Sequence, residues 1–507
     1  MVQFAGEGGS TMSDKANRKA FLGRILFSFL VAVSVILVFS CSSPLYPFNN
    51  WEDPNCFFTM GSGILRGQVP YRDLYEQKGP VLYFIHALAA LISRKTFIGV
   101  FFIQIIICAV THFYSIKLAG LYVEVTRRLY VLSVPAMMLL YSVRSYFYGD
   151  SAEEMILPFY VISLYILLKA LKNKTLPDKK ETVFIGAATA MAFWIKYTLC
   201  GFFLGMVLIF LVFSIRKKLF KKLLPLILVF IAAFAAASLP VLAYFACNNA
   251  LGDLYTAYFY NNIFLYRNLN ESVPLSGILP YTLSLAVIKL SDNIYIAVTL
   301  LISIVFFALK KRFAELMSYL TLFLFTVVFI FQGSFIGFYY VFALAALTLP
   351  ALAAAEALLS RIKTRMFITV PLAAGLAVLA FFSSFASENI FRKKDEMPQY
   401  VFAEYLKEYP GATMLNYGFL DQGFYTVSGI APTEKYFCGL NIDSVLDEAR
   451  LSKDDAIKQQ RVDFIVTKNM NDGWEGYEVV SICKYSAKDF NSTVGTDAYY
   501  LYKKAGI

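Results

Sequence analysis

Continuous runs of apolar residues, each about 20 residues long, recur along the chain from position 21 to position 386. A run of that length crosses a lipid bilayer as a single α-helix. Because the hydrocarbon offers no water to backbone N–H and C=O groups, a chain that spans it forms either helices or a closed barrel. The runs do not alternate in polarity, so the sequence predicts an all-α polytopic membrane protein, folded as a bundle of helices.

The composition agrees with a membrane location and argues against a soluble enzyme. Of the 507 residues, 58% are hydrophobic and 16% are charged, whereas soluble chains carry about 25% charged residues. The net charge of +11 comes largely from Lys and Arg clusters between the apolar runs, which is the usual bias of cytoplasmic loops. We therefore expect no nucleic-acid partner.

The apolar runs predict eleven transmembrane helices. These cover residues 21–43, 97–119, 129–146, 154–171, 183–199, 200–215, 223–246, 293–309, 314–331, 339–358 and 366–386. With this count the N-terminus and all the cationic clusters fall on one side of the membrane, which we take as the cytoplasm. The clusters lie at 127–128, 172–180, 216–222, 310–312 and 361–365.

The same count divides the chain into three parts. Residues 1–20 form a cytoplasmic N-terminal tail, 21–386 a transmembrane domain, and 387–507 a soluble extracytoplasmic module. The module contains the strand-like runs VDFIVT and YEVVSI, and its stretch EYLKEYPGATMLNYG indicates a helix, a turn and a strand. We expect a small α/β or α+β fold for this module.

The first outer loop, residues 44–96, ends in the apolar stretch PVLYFIHALAALI at 80–92. This stretch is too short to span the bilayer comfortably, so we expect a half-inserted or membrane-surface helix. The alternative is a short true span, which would move every later cationic cluster to the outside. Two more outer loops lie near 148–154 and from 247 to 292, and residues 332–340 also reach the outer face.

The outer loops carry two groups of carboxylates. Asp53 follows Trp51 just outside the first span, where partial desolvation favours proton uptake. A carboxylate so placed can accept the proton of an attacking hydroxyl, as a general base. Its neighbour Glu52 is either a catalytic partner or a solvated bystander.

The second acidic group lies in the next outer loop and consists of Asp150, Glu153 and Glu154. We expect one of these residues to hold an acceptor or a metal, or the segment to cap the helix that follows, with Asp150 or Ser151 as the N-cap and the glutamates in the first turn.

Three cations reach the same face. Lys196 lies at the edge of an apolar run, where a charge is costly and indicates function, unless the side chain only snorkels to the interface. Lys78 and Arg72 lie in the first outer loop. Basic residues that converge on one outer site indicate a phosphate, and at a membrane surface that phosphate is expected to be lipid-linked. A base with cations predicts a transferase site, in which the cations stabilise the departing phosphate.

Cysteine and histidine give no metal motif. The seven cysteines form no CxxC pair, and His86 and His112 both lie in apolar segments. We therefore expect no histidine-based metal site. For Cys438 and Cys483 two alternatives stay open, a disulfide or unpaired buried thiols.

The first outer loop resembles that of bacterial family 39 glycosyltransferases. These enzymes belong to the GT-C superfamily, together with protein O-mannosyltransferases and the aminoarabinose transferases of lipid A. The resemblance rests on Asp53-x3-Phe57, Gly61, Leu65-x-Gly67, Pro70-Tyr71-x-Asp73 and Lys78-Gly79-Pro80 followed by Tyr83. It extends more weakly through GDSAEE, Lys196 and the Tyr339–Tyr340 pair before Pro350, and so covers roughly residues 20–360.

The resemblance implies a donor that is a polyprenyl-phosphate-linked sugar and an acceptor hydroxyl on a glycan, glycolipid or protein. Asp53 would be the general base, Lys78 and Lys196 would bind the donor phosphate, and Tyr340 would lie near it. Transfer would be inverting and would require no cofactor, with a divalent cation as the open alternative. Many members begin this loop with Asp-Glu, whereas this chain has Glu52-Asp53. The second acid is therefore open between Glu52 and the acids at 153 and 154.

Two other functions stay open. A transporter or flippase of a lipid-linked saccharide is the first alternative, although such proteins carry paired halves and charges in mid-span, and we find no internal repeat. A non-catalytic assembly protein is the second, although it leaves Asp53, Lys78 and Lys196 unexplained.

Overall fold

The computed structural model describes residues 8–265, 277–331, 337–362, 366–440, 442–471, 473–488 and 494–507. Several predicted segments lie partly outside these ranges. They are the outer segment at 332–336, the end of the cationic cluster at 363–365, the middle of the 247–292 loop and the first residues of the N-terminal tail.

The described chain is helical up to Ser383. Its helices are α1 (Gly8–Phe39), α2 (Glu52–Ile64), α3 (Pro80–Ala90), α4 (Ile98–Ala119), α5 (Arg127–Tyr141), α6 (Ala152–Met155), α7 (Leu157–Asn173), α8 (Lys179–Ile195), α9 (Cys200–Arg216), α10 (Phe220–Cys247), α11 (Leu251–Leu254), α12 (Ile278–Ser291), α13 (Ile294–Leu309), α14 (Phe313–Ile330), α15 (Ala345–Thr348), α16 (Pro350–Arg361) and α17 (Met366–Ser383). Short 3-10 helices cover Tyr197–Leu199 and Phe338–Leu344, and a π-helix covers Tyr255–Leu265.

Each predicted span coincides with a helix or a bent helix pair. Within the described ranges, six helices are long and apolar enough to cross a membrane, and two bent pairs raise that number to eight. The total of eleven crossings stays a prediction, because α5, α7 and α8 have 15, 17 and 17 residues, at or below the shortest length that crosses a bilayer. The chain is thus a multi-pass helical membrane protein.

One of the predicted outer segments differs in form from its prediction. The stretch 247–292, predicted as a loop, is largely helical where it is described, because α11, the π-helix and α12 occupy most of it. A length criterion of about 20 residues passes over such short apolar helices, and α12 turns into α13 with a bend of 112°. The stretch at 80–92 forms α3, which has 11 residues and is too short for a comfortable crossing, as predicted.

The C-terminal module is an α+β fold, as predicted. It contains α18 (Pro398–Leu406), α19 (Phe424–Ser428), α20 (Asp443–Lys458), β1 (Met414–Tyr417), β2 (Phe464–Thr467), β3 (Tyr477–Lys488) and β4 (Val494–Lys504). The strand order is β1-β2-β4-β3, with β1 parallel to β2 and the other pairs antiparallel. All four residues of β2 are buried, which explains why this strand reads as a continuous apolar run rather than an alternating one.

The orientation of the module can be tested by cysteine labelling. Met470 is 60% exposed, and Met470→Cys in a chain with Cys200, Cys247 and Cys483 replaced by Ala should react with a membrane-impermeant maleimide added to intact cells. Lys217→Cys in the same background is the matched control, and it should react only after permeabilisation because it belongs to a predicted cytoplasmic cluster. The reverse pattern would place the module in the cytoplasm.

Candidate active site

Lys196 lies at the centre of the candidate site. Helix α8 begins in a capping box formed by Asp178 and Glu181 and ends at Ile195, which places Lys196 directly after the C-terminal end of the helix in an extended backbone conformation. Its Nζ donates a hydrogen bond of 2.6 Å to Oε1 of Glu153, and both side chains are buried. A buried ion pair of this kind is retained only with close geometry or further partners.

Aromatic rings enclose the Lys196 ammonium. Its Nζ lies 3.6 Å from the ring centroid of Tyr340 and 5.5 Å from that of Tyr339. Such distances are typical of cation–π contacts. Glu153 and Tyr340, which were predicted separately for the site, therefore both contact the Lys196 ammonium group.

Gly79 brings Lys78 to the same end of α8. The Gly79 N–H donates 3.0 Å to the carbonyl oxygen of Ile195, and a Cβ at position 79 would lie 2.0 Å from the carbonyl oxygen of Trp194. Only glycine permits this approach. Pro80 then starts α3, where its missing N–H costs nothing. Lys78 and Lys196 consequently lie on two chain segments that touch.

Lys78 is held by groups that the sequence did not assign. Its Nζ lies 3.9 Å from Oε1 of Glu76 and 5.9 Å from the ring centroid of Phe57. The Lys78 N–H donates 2.8 Å to Oε2 of Glu76, and its carbonyl accepts hydrogen bonds from Tyr71 (2.6 Å) and Tyr83 (2.9 Å). The tyrosines of the motif therefore fix the backbone at Lys78. The sequence predicts no role for Glu76, because a single glutamate in a polar loop is usually solvated.

Asp53 lies in the first turn of α2 and is half-buried. Among the described residues no hydrogen bond or ion pair to its carboxylate is found. Asp53 precedes Phe57 by four residues, so the two share one face of the helix, and Lys78 approaches that face at Phe57. Asp53 is thus a half-buried carboxylate on the face of α2 that also carries Phe57, the residue that Lys78 approaches.

Trp51 connects the start of α2 with the Lys196 site. Its ring packs edge-on against Tyr339, with ring centroids 5.3 Å apart, and against Phe147 at 5.5 Å. Tyr339 in turn lies beside the Lys196 ammonium. The sequence carries a signal of this packing, since an aromatic residue stands directly before the acids of the first outer loop.

The adjacent face of α2 is held by the C-terminal module. Glu52, Cys56 and Thr59 recur at helical spacing, and each meets a module residue. Glu52 Oε1 accepts 2.8 Å from Nε2 of Gln422, and Thr59 donates 2.6 Å to Asp421. Burial raises the pKa of Glu52. Glu52 is therefore anchored to the module, which corrects the alternative of a solvated bystander.

The contact between α2 and the module also brings two cysteines together. Cys56 Sγ lies 3.8 Å from Sγ of Cys438, whereas Cys483 lies partly exposed in β3. All seven cysteines are free thiols, so of the two alternatives for Cys438 and Cys483 the structure has the unpaired thiols.

The second acidic group separates into three sites with different partners. Asp150 pairs with His86, with both carboxylate oxygens 3.1 Å from Nε2. Glu154 accepts hydrogen bonds from Gln104 at 2.8 Å and from the Asp150 N–H at 2.7 Å. Only Glu153 contacts a predicted phosphate ligand. In the described part of the chain, no cluster of three His, Cys, Asp or Glu side chains suits a metal ion.

The helix cap in this loop is Ser151, whose side chain accepts a hydrogen bond from the Glu154 N–H. Of the two predicted N-caps, Asp150 and Ser151, the structure has the serine, with Glu153 and Glu154 in the first turn of α6.

Arg72 lies apart from this arrangement. Its guanidinium donates two hydrogen bonds of 2.8 Å to the Asp73 carboxylate. It donates a third, also 2.8 Å long, to the carbonyl oxygen of Asn248 at the end of α10. The side chain is 41% exposed. Arg72 thus connects the first outer loop to α10. Phosphate binding by Arg72 stays a prediction, and it requires these hydrogen bonds to break.

Comparison with known proteins gives one family-profile match and one similar solved structure. Residues 77–244 match the sequence profile of the family described as dolichyl-phosphate-mannose-protein mannosyltransferase, a segment that contains Lys78, Glu153 and Lys196. No curated protein sequence gives a significant match. The crystal structure of ArnT from Cupriavidus metallidurans bound to undecaprenyl phosphate is similar, with a TM-score of 0.62 and 12% identity over 93% of this chain and 97% of that one.

At this level of identity the likeness to ArnT concerns the fold. The resemblance drawn from the first outer loop is confirmed at the level of family domain and fold. Residues 77–244 match the profile of the dolichyl-phosphate-mannose-protein mannosyltransferase family, within a chain that has the fold of ArnT.

Proposed function

We propose that the protein is a membrane glycosyltransferase that moves a sugar from a polyprenyl-phosphate donor to an acceptor hydroxyl at the outer face of the membrane. The observation that carries this proposal is the junction of the Lys78 and Lys196 segments, together with the half-buried carboxylate of Asp53. ArnT, which shares the fold, was crystallised with undecaprenyl phosphate, and this supports a polyprenyl-phosphate donor.

The two lysines are suited to the donor phosphate. Each is largely buried, with Lys78 11% and Lys196 10% exposed in its side chain, and a buried ammonium near a membrane is costly unless it has a function. Charge-assisted hydrogen bonds to phosphate are strong, and they grow stronger as the phosphate gains negative charge on leaving. The lysines would therefore lower the barrier by stabilising the leaving group.

Asp53 is suited to activate the acceptor. As the acceptor oxygen bonds to the anomeric carbon, its proton passes to the Asp53 carboxylate and the bond from that carbon to the phosphate oxygen breaks. Attack from the face opposite the phosphate inverts the anomeric configuration. Hydroxyls on a glycan, a glycolipid or a protein all satisfy this chemistry.

Asp53→Asn should lower the turnover number at least about 100-fold, because the amide cannot take up the acceptor proton. The measurement is transfer by the purified full chain from a polyprenyl-phosphate sugar, with binding of undecaprenyl phosphate measured in parallel and expected to persist. Glu404→Gln is the control, since Glu404 is a 73% exposed acid of the module. Full turnover in the Asp53 variant would remove Asp53 from catalysis.

The phosphate role of the lysines predicts weaker donor binding. Lys78→Gln, and Lys196→Gln combined with Glu153→Gln so that no buried carboxylate loses its partner, should each weaken undecaprenyl phosphate binding roughly 10-fold or more. Lys117→Gln is the control, because Lys117 is a half-buried lysine whose Nζ likewise lies over an aromatic ring, 4.6 Å from the ring centroid of Tyr165. Equal affinity in all variants would refute the phosphate assignment.

The module contact predicts a pH signature. Burial raises the pKa of Asp421 to about 6 from an ordinary 3.8, so the native state binds the proton more tightly than the unfolded state. The stability contributed by protonation is complete below pH 3.8 and is lost as the pH rises through 6.

Asp421→Asn keeps an acceptor for Thr59 and removes this titration. The difference in melting temperature between the variant and the parent protein should therefore shift in favour of the variant from pH 5 to pH 7.5. The shift should equal about 1 kcal/mol in the free energy of unfolding. An identical difference in melting temperature at both pH values would show that Asp421 does not titrate in this range.

A further inference from the structure

Two buried thiols meet where the C-terminal module packs against α2. Cys56 and Cys438 are 5% and 1% exposed, and their Sγ atoms lie 3.8 Å apart although 382 positions separate them in the chain. Among the described residues this is the one contact between two thiols. The sulfurs of a disulfide lie about 2.05 Å apart, so these atoms need to approach by about 1.8 Å. Cys438 lies in an irregular segment between α19 and α20, and a backbone adjustment there can supply this approach.

Hydrogen bonds on both sides of Cys56 fix the contact. Glu52, one turn before Cys56, accepts a hydrogen bond of 2.8 Å from Gln422. Thr59, nearly one turn after Cys56, donates a hydrogen bond of 2.6 Å to Asp421. Because the module is bound to α2 above and below the pair, the two thiols stay in contact as long as the module is docked.

A lysine of the module lies beside Cys438. Lys453, in α20, is 4% exposed, and its Nζ donates a hydrogen bond to the carbonyl oxygen of Cys438. Burial lowers the pKa of Lys453 to about 8, and the charges of Cys438 and Cys56 raise it in turn, so the amine is largely protonated at pH 7. A cation beside a thiol favours the thiolate, which is the nucleophile in disulfide exchange. The module thus carries an activated cysteine at the surface that meets α2.

The predicted topology places this pair in an oxidising compartment. Both the first outer loop and the module are predicted to lie at the outer face of the membrane. Disulfides form and persist outside the cytoplasm and are rare within it. Close contact, an activating cation and the compartment therefore favour the same modification.

We propose that Cys56 and Cys438 form a disulfide that cross-links α2 to the C-terminal module. The oxidant is an external disulfide, of the class that thiol–disulfide oxidoreductases carry. The Cys438 thiolate attacks one sulfur of this disulfide and releases the other as a thiol. Cys56 then attacks the Cys438 sulfur and displaces the second external thiol. Two electrons and two protons pass from the cysteines to the external disulfide, which leaves as two thiols.

The burial of the pair determines when the exchange takes place. Hydrogen bonding with Cys438 and burial raise the pKa of Cys56 in the docked state, which makes its thiol a poor nucleophile there. The exchange therefore proceeds as the module docks, while an external disulfide can still reach the pair.

The cross-link would hold the helix that carries Asp53. Cys56 follows Asp53 by three residues, so the disulfide would attach the module within one turn of the proposed base. It would also close a loop of 382 residues, and long loops constrain the unfolded chain most. This inference rests on the predicted outer location of the module and not on the proposed transfer reaction, so the two can fail independently.

The test is a disulfide map of the full chain as bacterial cells make it. Cells are quenched in acid and denatured in N-ethylmaleimide, and the chain is digested without reduction and analysed by mass spectrometry. A pair of peptides joined through Cys56 and Cys438 should appear and should separate on reduction. Cys108 and Cys200, which lie in membrane helices, are internal controls and should carry N-ethylmaleimide. N-ethylmaleimide on both Cys56 and Cys438 in most molecules would overturn the proposal, and so would a disulfide of either residue with a third cysteine.

A second measurement tests whether the cross-link stabilises the docked module. Dithiothreitol should lower the melting temperature of the purified full chain by several degrees. The double variant Cys56→Ala with Cys438→Ala should show no such fall on reduction, whereas Cys200→Ala, the matched control, should retain it. A fall of equal size in the double variant would show that the reductant acts elsewhere and would contradict a stabilising cross-link.

Discussion

The contact between Gly79 and the end of α8 is the constraint on which the candidate site depends. The Gly79 N–H bonds to the Ile195 carbonyl at 3.0 Å, and no side chain fits between residue 79 and Trp194. This contact joins the first outer loop to a membrane helix and sets Lys78 next to Lys196. Without it the two cations would lie on independent segments, and neither their shared position nor the cost of burying them would have a common explanation.

Helix α2 is the second fixed part of the site. One face, at Glu52, Cys56 and Thr59, is bound by the C-terminal module, and the adjacent face, at Asp53 and Phe57, is turned toward Lys78. A base that must meet a donor and an acceptor at once needs such support, because a small misplacement of a catalytic group is costly. The module therefore has a structural reason to be attached to this transmembrane domain.

Much of this arrangement could be predicted from the sequence. Apolar run length locates the membrane helices, and the positions of Asp53, Lys78 and Lys196 at the edges of such runs mark them as unusual. Their partners could not be predicted in the same way. Glu153 meets Lys196 across 43 residues and Glu52 meets Gln422 across 370, and periodicity carries no information on contacts at such separations. Glu153, Glu154 and Asp150 read as one acidic group because they are close in sequence, whereas backbone geometry sends each to a different partner.

The most direct test of the account is a cryo-EM structure of the full chain with undecaprenyl phosphate in a lipid nanodisc. We expect phosphate oxygens within about 3 Å of the Nζ atoms of Lys78 and Lys196. The Asp53 carboxylate should face the space where a donor sugar would extend. A phosphate bound away from both lysines, with Asp53 turned from it, would contradict the account.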